Sequence, residues 1–149
     1  RRVTESTSIL CASPDYLRRH GEPRVPQDLQ QHDLVRLILP DLASGPLRLI
    51  DETDPSHEET VSVSPVLVCN DHEAVLRSTL EGAGISGQAL QVVAPMLHTG
   101  QLQRVLAPWI AERYTLIAAF ASRRHMPTRT RAFLEHLVQS SQRARSVVA

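Results

Sequence analysis

The stretch SILCASPDYLRRHG, residues 8–21, predicts a short buried strand that leads directly into a helix. Residues 8–12 form the uninterrupted apolar run of a buried strand. Ser13 can cap the helix, Pro14 suits its first position because no N–H is needed there, and Gly21 can take the left-handed conformation that ends it. We expect this strand-helix unit to set the fold class.

Strand and helix patterns alternate along the rest of the chain. The strand patterns lie at residues 34–39, 47–50, 61–69 (broken at Pro65), 102–106 and 114–121. The helix patterns lie at residues 26–31, 70–82, 93–99 and 128–139. We interpret residues 51–60 as a surface loop, residues 108–113 as a connector and the tail from Ser140 as frayed. The alternation predicts an α/β fold around a mainly parallel sheet.

Length and composition favour one domain, or two small lobes, with a proper core. The chain has 149 residues, 42% of them apolar. Its longest largely apolar stretch, residues 114–121, is far shorter than the roughly 20 residues that a bilayer span needs. We therefore expect a soluble protein with no membrane partner. The first residue is not Met and no signal peptide follows it, which suggests a piece of a longer cytoplasmic protein.

The charge balance argues against nucleic-acid binding by this chain alone. Sixteen basic and sixteen acidic residues give a formal net charge of zero. No summed field would therefore draw the chain onto a phosphate backbone.

Three patterns could indicate chemistry, and each has a plainer interpretation. GAGISG, residues 82–87, matches G-x-G-x-x-G, but a predicted helix precedes it where a strand is required, so we interpret it as a helix end and a turn. The seven histidines show no metal-ligand spacing, so we predict no metal and no cofactor. Cys11 or Cys69 could be a nucleophile beside a histidine that is close only in space, yet a small buried hydrophobe is the favoured interpretation. We predict no catalysis.

The ends of the predicted strands are where we look for function. In open α/β sheets, ligands bind in the crevice at the carboxyl ends of the strands. Asn70 as helix cap with Glu73 resembles a capping box, and Asn70, Asp71 and Ser13 could each serve as a cap alone or also hold an anionic ligand. These positions, with the region around Ile85, are the candidates.

The order of short motifs resembles one protein family over nearly the whole chain. ASPDYL (12–17), HG (20–21), Pro23, DL (28–29) and HD (32–33) look like the middle of the effector-binding domain of LysR-type transcriptional regulators. ND (70–71), GAGI (82–85), GQL (100–102), VL (105–106), RRHMP (123–127) and RAFL (131–134) continue the resemblance. The family often has Trp where Leu47 stands and Pro where Ala89 stands, so the second lobe can differ locally in this chain.

The resemblance implies a periplasmic-binding-protein-like fold of type 2, with a small effector held between two lobes. Residues 1–12 would be the hinge strand and the end of the first-lobe segment, 13–109 the second lobe, 110–140 the return to the first lobe and 141–149 a polar tail. The opening half of the first lobe and a helix-turn-helix would precede Arg1, which would leave the strand at 114–121 without its neighbours. The effector-binding positions carried over are Ser13, Leu39, Pro40, Asn70, Asp71 and Ile85.

The sequence thus predicts the effector-sensing part of a LysR-type regulator. Its expected partners are a small-molecule effector, further copies of itself, and DNA through the helix-turn-helix only. Two alternatives stay open, a fragment of a solute-binding protein and a fragment of an α/β enzyme.

Overall fold

A computed structural model of the chain describes residues 2–38, 45–119 and 127–148. The strands are β1 (Arg2–Ala12), β2 (Val35–Leu37), β3 (Leu47–Asp51), β4 (Glu58–Val61), β5 (Leu67–Cys69), β6 (Ser86–Ala89), β7 (Gln103–Arg104) and β8 (Trp109–Ile117). The helices are α1 (Pro14–His20), α2 (His72–Leu80), α3 (Leu90–His98) and α4 (Thr128–Val148), with a short 3-10 helix at Pro26–Gln31. The predicted strand-helix unit at residues 8–21 is confirmed, but the strand is longer than expected and begins at Arg2.

The larger sheet of the described residues is antiparallel, so the prediction of a mainly parallel sheet is wrong. Its strand order is β4-β3-β8-β1-β6, and β7 also pairs with β1. Every one of these pairings is antiparallel. The parallel part is small: β2 pairs with β5, and Leu34 forms an isolated parallel bridge with Ile85.

Burial on both faces of β1 explains this error. Ile9 and Cys11 belong to an apolar cluster on one face of β1, and Leu10 and Ala12 belong to a second cluster. All four residues are at most 1% exposed. Two-sided burial produces the same unbroken apolar run that a parallel strand shows, so the run reports burial and not strand direction.

β8 corrects two expectations about the region after residue 106. The predicted connector at 108–113 is mostly strand, because Ile110 is fully buried and pairs with both Ile9 and Ile50. The strand expected at 114–121 is not left without neighbours, since β8 pairs with β1 as far as Ile117. Residues 120 and 121 of that expectation lie outside the described part.

Other boundaries shift for local reasons. The strand expected at 102–106 shortens to β7, because the chain turns at Leu106, where φ is +56°. The loop expected at 51–60 is shorter, since β4 pairs with β3 from Glu58 onward. The tail expected to fray from Ser140 continues as α4 to Val148. The division into lobes at residues 12, 109 and 140 stays a prediction.

Within the described residues, none of the helices combines the length and the apolar character needed to cross a bilayer.

Candidate functional site

Two of the predicted effector-binding residues, Ser13 and Ile85, are buried, Ser13 beside the Gly82 turn and Ile85 beside the start of β2. The hydroxyl of Ser13 accepts a hydrogen bond from the Tyr16 N–H (3.2 Å) and caps α1. Ile85 donates its N–H to the carbonyl of Asp33 (2.9 Å) and accepts from the Val35 N–H (2.9 Å). Ser13 is 3% exposed and Ile85 is 0% exposed. Both side chains are therefore engaged in the core of the domain.

A polar cluster around Tyr16 supports the same junction. Its hydroxyl accepts the N–H of Asp33 (2.8 Å) and lies 3.1 Å from Nδ1 of His32. The ring of His20 stacks on the Tyr16 ring at 4.3 Å between centroids. Burial raises the pKa of Tyr16, and it lowers the pKa of His32, which the charge of His20 lowers further. These contacts connect α1 to the strand bridge at Ile85.

Asn70 and Asp71 lie at the other end of β2. β5 runs parallel to β2, and the N–H of Ile38 donates to the carbonyl of Cys69 (2.8 Å), so both residues follow the carboxyl end of the strand pair. Asp71 caps α2, with its Oδ1 accepting the Ala74 N–H at 2.8 Å. The prediction that Asn70 is the cap is therefore wrong, because the helix begins one residue later. Both side chains are exposed.

The structure thus separates the predicted positions into two groups. α2 runs from Asp71 back towards the Gly82 turn beside Ser13, and its nine residues span about 13 Å. Leu39 and Pro40 lie outside the described residues. The effector role of all six positions stays a prediction.

A cavity of about 300 Å³ opens beside the carboxyl ends of β2 and β5, and we call it the strand-end cavity. Its walls are mostly apolar and come from Ile38, Pro46, Val63, Pro65 and Val68, with Gly45 at the rim. Ligand pockets in proteins have this character, and 300 Å³ is at the small end of their range.

Two polar side chains, Arg36 and Ser62, complete the strand-end cavity. Arg36 lies directly beside Val68 across the parallel strand pair. Its guanidinium donates one hydrogen bond to the carbonyl of Gly45. No carboxylate lines the cavity among the residues the structure describes, so the guanidinium is its one charged group there. Such a site suits a small molecule with an apolar body and an acceptor group.

A second, larger cavity of about 510 Å³ is polar and already balanced in charge. Glu22, Arg24 and Arg104 supply its charged groups. The guanidinium of Arg104 pairs with the carboxylate of Glu52 at 2.9 Å. Its Nε is buried without a hydrogen-bond partner in the described structure, so that N–H is closed off from a ligand as well. This cavity is therefore a weaker candidate for a ligand site than the strand-end cavity.

The cysteine interpretation can be decided for Cys11. The side chain is fully buried beside Ser86, and burial raises the pKa of its thiol to about 12. A thiol with that pKa is not ionised at neutral pH and is a poor nucleophile. Ser86 also bonds to Thr79 (2.7 Å) and Gln88 (2.9 Å), which satisfies a small buried polar cluster behind β1.

The glycine motif and the histidines also have structural roles. Gly82 has φ +79° and follows Glu81, the C-cap of α2, so the interpretation as a helix end and a turn is confirmed. A Cβ on Gly84 would lie 2.4 Å from the carbonyl oxygen of Asp33, so the turn passes against the start of β2. No group of three potential metal ligands comes together in the described ranges.

Sequence reasoning missed Arg36. Its signal was visible, because it is the single charged residue within the apolar run LVRLIL, residues 34–39. A lone arginine inside an apolar strand pattern could have been flagged as a candidate functional residue. What the sequence could not supply is the pairing of β2 with β5, which sets Arg36 beside Val68.

This architecture is that of a periplasmic-binding-protein-like domain, the class built to hold a small ligand. The full-length Vibrio cholerae virulence activator AphB shares it, with a TM-score of 0.75 and 25% identity over 95% of this chain and 47% of that one. The family model of the LysR substrate binding domain matches residues 1–142. The chain belongs to this family.

Curated relatives of similar sequence are transcription regulators. An HTH-type transcriptional regulator of Xanthomonas campestris is 32% identical over 93% of this chain and 40% of its own length. The HTH-type transcriptional activator TtdR of Escherichia coli is 32% identical over 91% of this chain and 42% of its own. The chain spans about two fifths of the length of these relatives. They favour the regulator interpretation over a solute-binding protein or an enzyme.

Proposed function

We propose that the chain is the effector-sensing part of a LysR-type transcription regulator and that the strand-end cavity holds the effector. The observation that carries the proposal is a mostly apolar cavity with one guanidinium, found in a member of a substrate-binding family. One predicted residue lies next to this pair of strand ends, since Asn70 follows Cys69, whose carbonyl accepts the N–H of Ile38.

The mechanism we propose is a shift between conformations and not a chemical reaction. A ligand over the cavity would contact β2, β5 and the segment from Ser62 to Pro65 together, and so favour the conformation in which these pack closely. A ligand shifts such an equilibrium only by its difference in affinity for the two states. In the whole regulator, closure of two lobes would carry this shift to an oligomer bound to DNA through a helix-turn-helix. We propose that the regulator works in the cytoplasm.

The balanced charge of the chain supports the proposal that this part of the regulator senses the effector and another part binds DNA. With a formal net charge of zero, sensing and DNA binding would fall to different parts of the protein.

A pair of matched variants tests the proposal. Val68→Trp fills the cavity from a side chain that is 45% exposed, and Val92→Trp makes the same change at a position on α3 that is 54% exposed and outside the cavity lining. A metabolite library is screened by thermal shift, and the dissociation constant of each hit is measured by calorimetry on wild type and both variants. We expect hits that Val92→Trp retains and Val68→Trp weakens at least tenfold. A library with no hits, or hits that both variants retain equally, would contradict the proposal.

A further inference from the structure

We propose that the strand-end cavity selects a small organic carboxylate with an apolar body, held by Arg36; this inference rests on the proposed function. The first step is the charge of the site. Arg36 forms none of the ion pairs within 4.0 Å that the described residues make, whereas Arg48 pairs with Glu58 and Arg104 with Glu52. Within ranges 2–38, 45–119 and 127–148, the lining adds no negative charge.

The second step is the hydrogen-bonding capacity left on the guanidinium. One N–H group donates to the Gly45 carbonyl, which fixes the position of the head group at the cavity rim. A guanidinium has five N–H donors in a planar fork, so the remaining donors can take both oxygens of one carboxylate. Arg36 is half-buried, which makes the pair stronger than a fully exposed ion pair.

The third step is the shape of the surface around that charge. Arg36 and Val68 are cross-strand partners, and Ile38 lies two residues further along the same face of β2. A carboxylate at Arg36 would therefore place the rest of the ligand over the side chains of Val68 and Ile38. The hydroxyl of Ser62 is the second polar group of the lining and could orient a substituent. The volume of about 300 Å³ limits the ligand to a small acid.

The test uses matched pairs of probes on the chain itself. Four aliphatic carboxylates from butanoate to 4-methylpentanoate are each compared with the corresponding neutral amide, by following backbone amide chemical shifts of Ile38, Ser62 and Val68 during titration. We expect each carboxylate to bind at least tenfold more tightly than its amide, and affinity to rise with chain length. Amides that bind as tightly as the carboxylates would overturn the inference.

Arginine variants locate the charge that is responsible. Arg36→Gln should remove the preference for the carboxylate and leave amide binding unchanged, and Arg36→Lys should keep part of the preference. Arg48→Gln should keep all of the preference, because it is the same change at an exposed arginine outside the lining. Thermal unfolding of each variant checks that it folds. The comparison of carboxylates with amides on the wild-type chain still tests the inference if Arg36→Gln does not fold.

A failure of the carboxylate inference can be distinguished from a failure of the proposed function. If library hits are weakened by Val68→Trp but carboxylates and amides bind alike, the effector site stands and the carboxylate inference falls. If nothing binds the cavity, both fall together.

Discussion

Replacing Tyr16 with Phe isolates the hydroxyl that joins α1 to the start of β2. The ring is fully buried and keeps its packing in the variant, so only the polar contacts change. The N–H of Asp33 loses its acceptor at 2.8 Å, and Nδ1 of His32 loses its partner at 3.1 Å. The cost therefore comes from two polar groups left without partners.

An unsatisfied buried group costs about 1–3 kcal/mol. His32 and Asp33 are each only half-buried, so we expect the lower end of that range for each group and about 2 kcal/mol in total. For a chain of this size that loss lowers the melting temperature by roughly 4–8 °C. Urea and thermal unfolding followed by circular dichroism measure both quantities.

Tyr114→Phe is the matched control. Tyr114 lies half-buried on β8, and its hydroxyl forms no hydrogen bond to another described residue, so its loss should change stability by less than about 0.5 kcal/mol. A Tyr16→Phe variant as stable as wild type, or a control that costs as much, would refute the assigned role of the Tyr16 hydroxyl.

Four further substitutions, in three experiments, test other parts of the same reasoning. The pKa of His32 in the folded state is lowered from 6.5. Its contribution to stability is therefore present above pH 6.5 and is lost as the pH falls through the folded-state pKa. His32→Gln should flatten the decline in unfolding free energy that is measured as the pH falls from 7 to 5. Gly84→Ala would bring a Cβ to 2.4 Å from the Asp33 carbonyl oxygen and should cost more than about 3 kcal/mol in urea unfolding; a loss below 1 kcal/mol would show that the turn can yield. Asp71→Ala should cost about 1 kcal/mol through the lost cap of α2 and Asn70→Ala close to nothing, and the reverse order would restore Asn70 as the cap.

The elements that the sequence predicted well are those with local causes. α1 begins after Ser13 and ends before Gly21 because a capping hydroxyl and a proline occupy its start and a glycine occupies its end. The break at Pro65 separates β4 from β5 for an equally local reason. The order of short motifs also indicated the family, which the match over residues 1–142 confirms.

The candidate site was predicted less well, because a site depends on which strand ends lie together. Ser13 and Asn70 both follow strands, but the strands end at opposite ends of β2. Arg36 belongs to no motif, and it gains its place in a cavity only from the pairing of β2 with β5.

The sequence by itself determined where α1 begins and ends, that residues 9–12 of β1 are buried, and to which family the chain belongs. These properties follow from capping groups, apolar runs and motif order, which act within a few residues or survive as a pattern. Only the tertiary structure decided that the larger sheet is antiparallel, that β8 pairs along its length with β1, and that Arg36 faces an apolar cavity. An apolar side chain loses the same contact with water whichever way its neighbouring strand runs, so burial cannot encode strand direction or the meeting of distant residues.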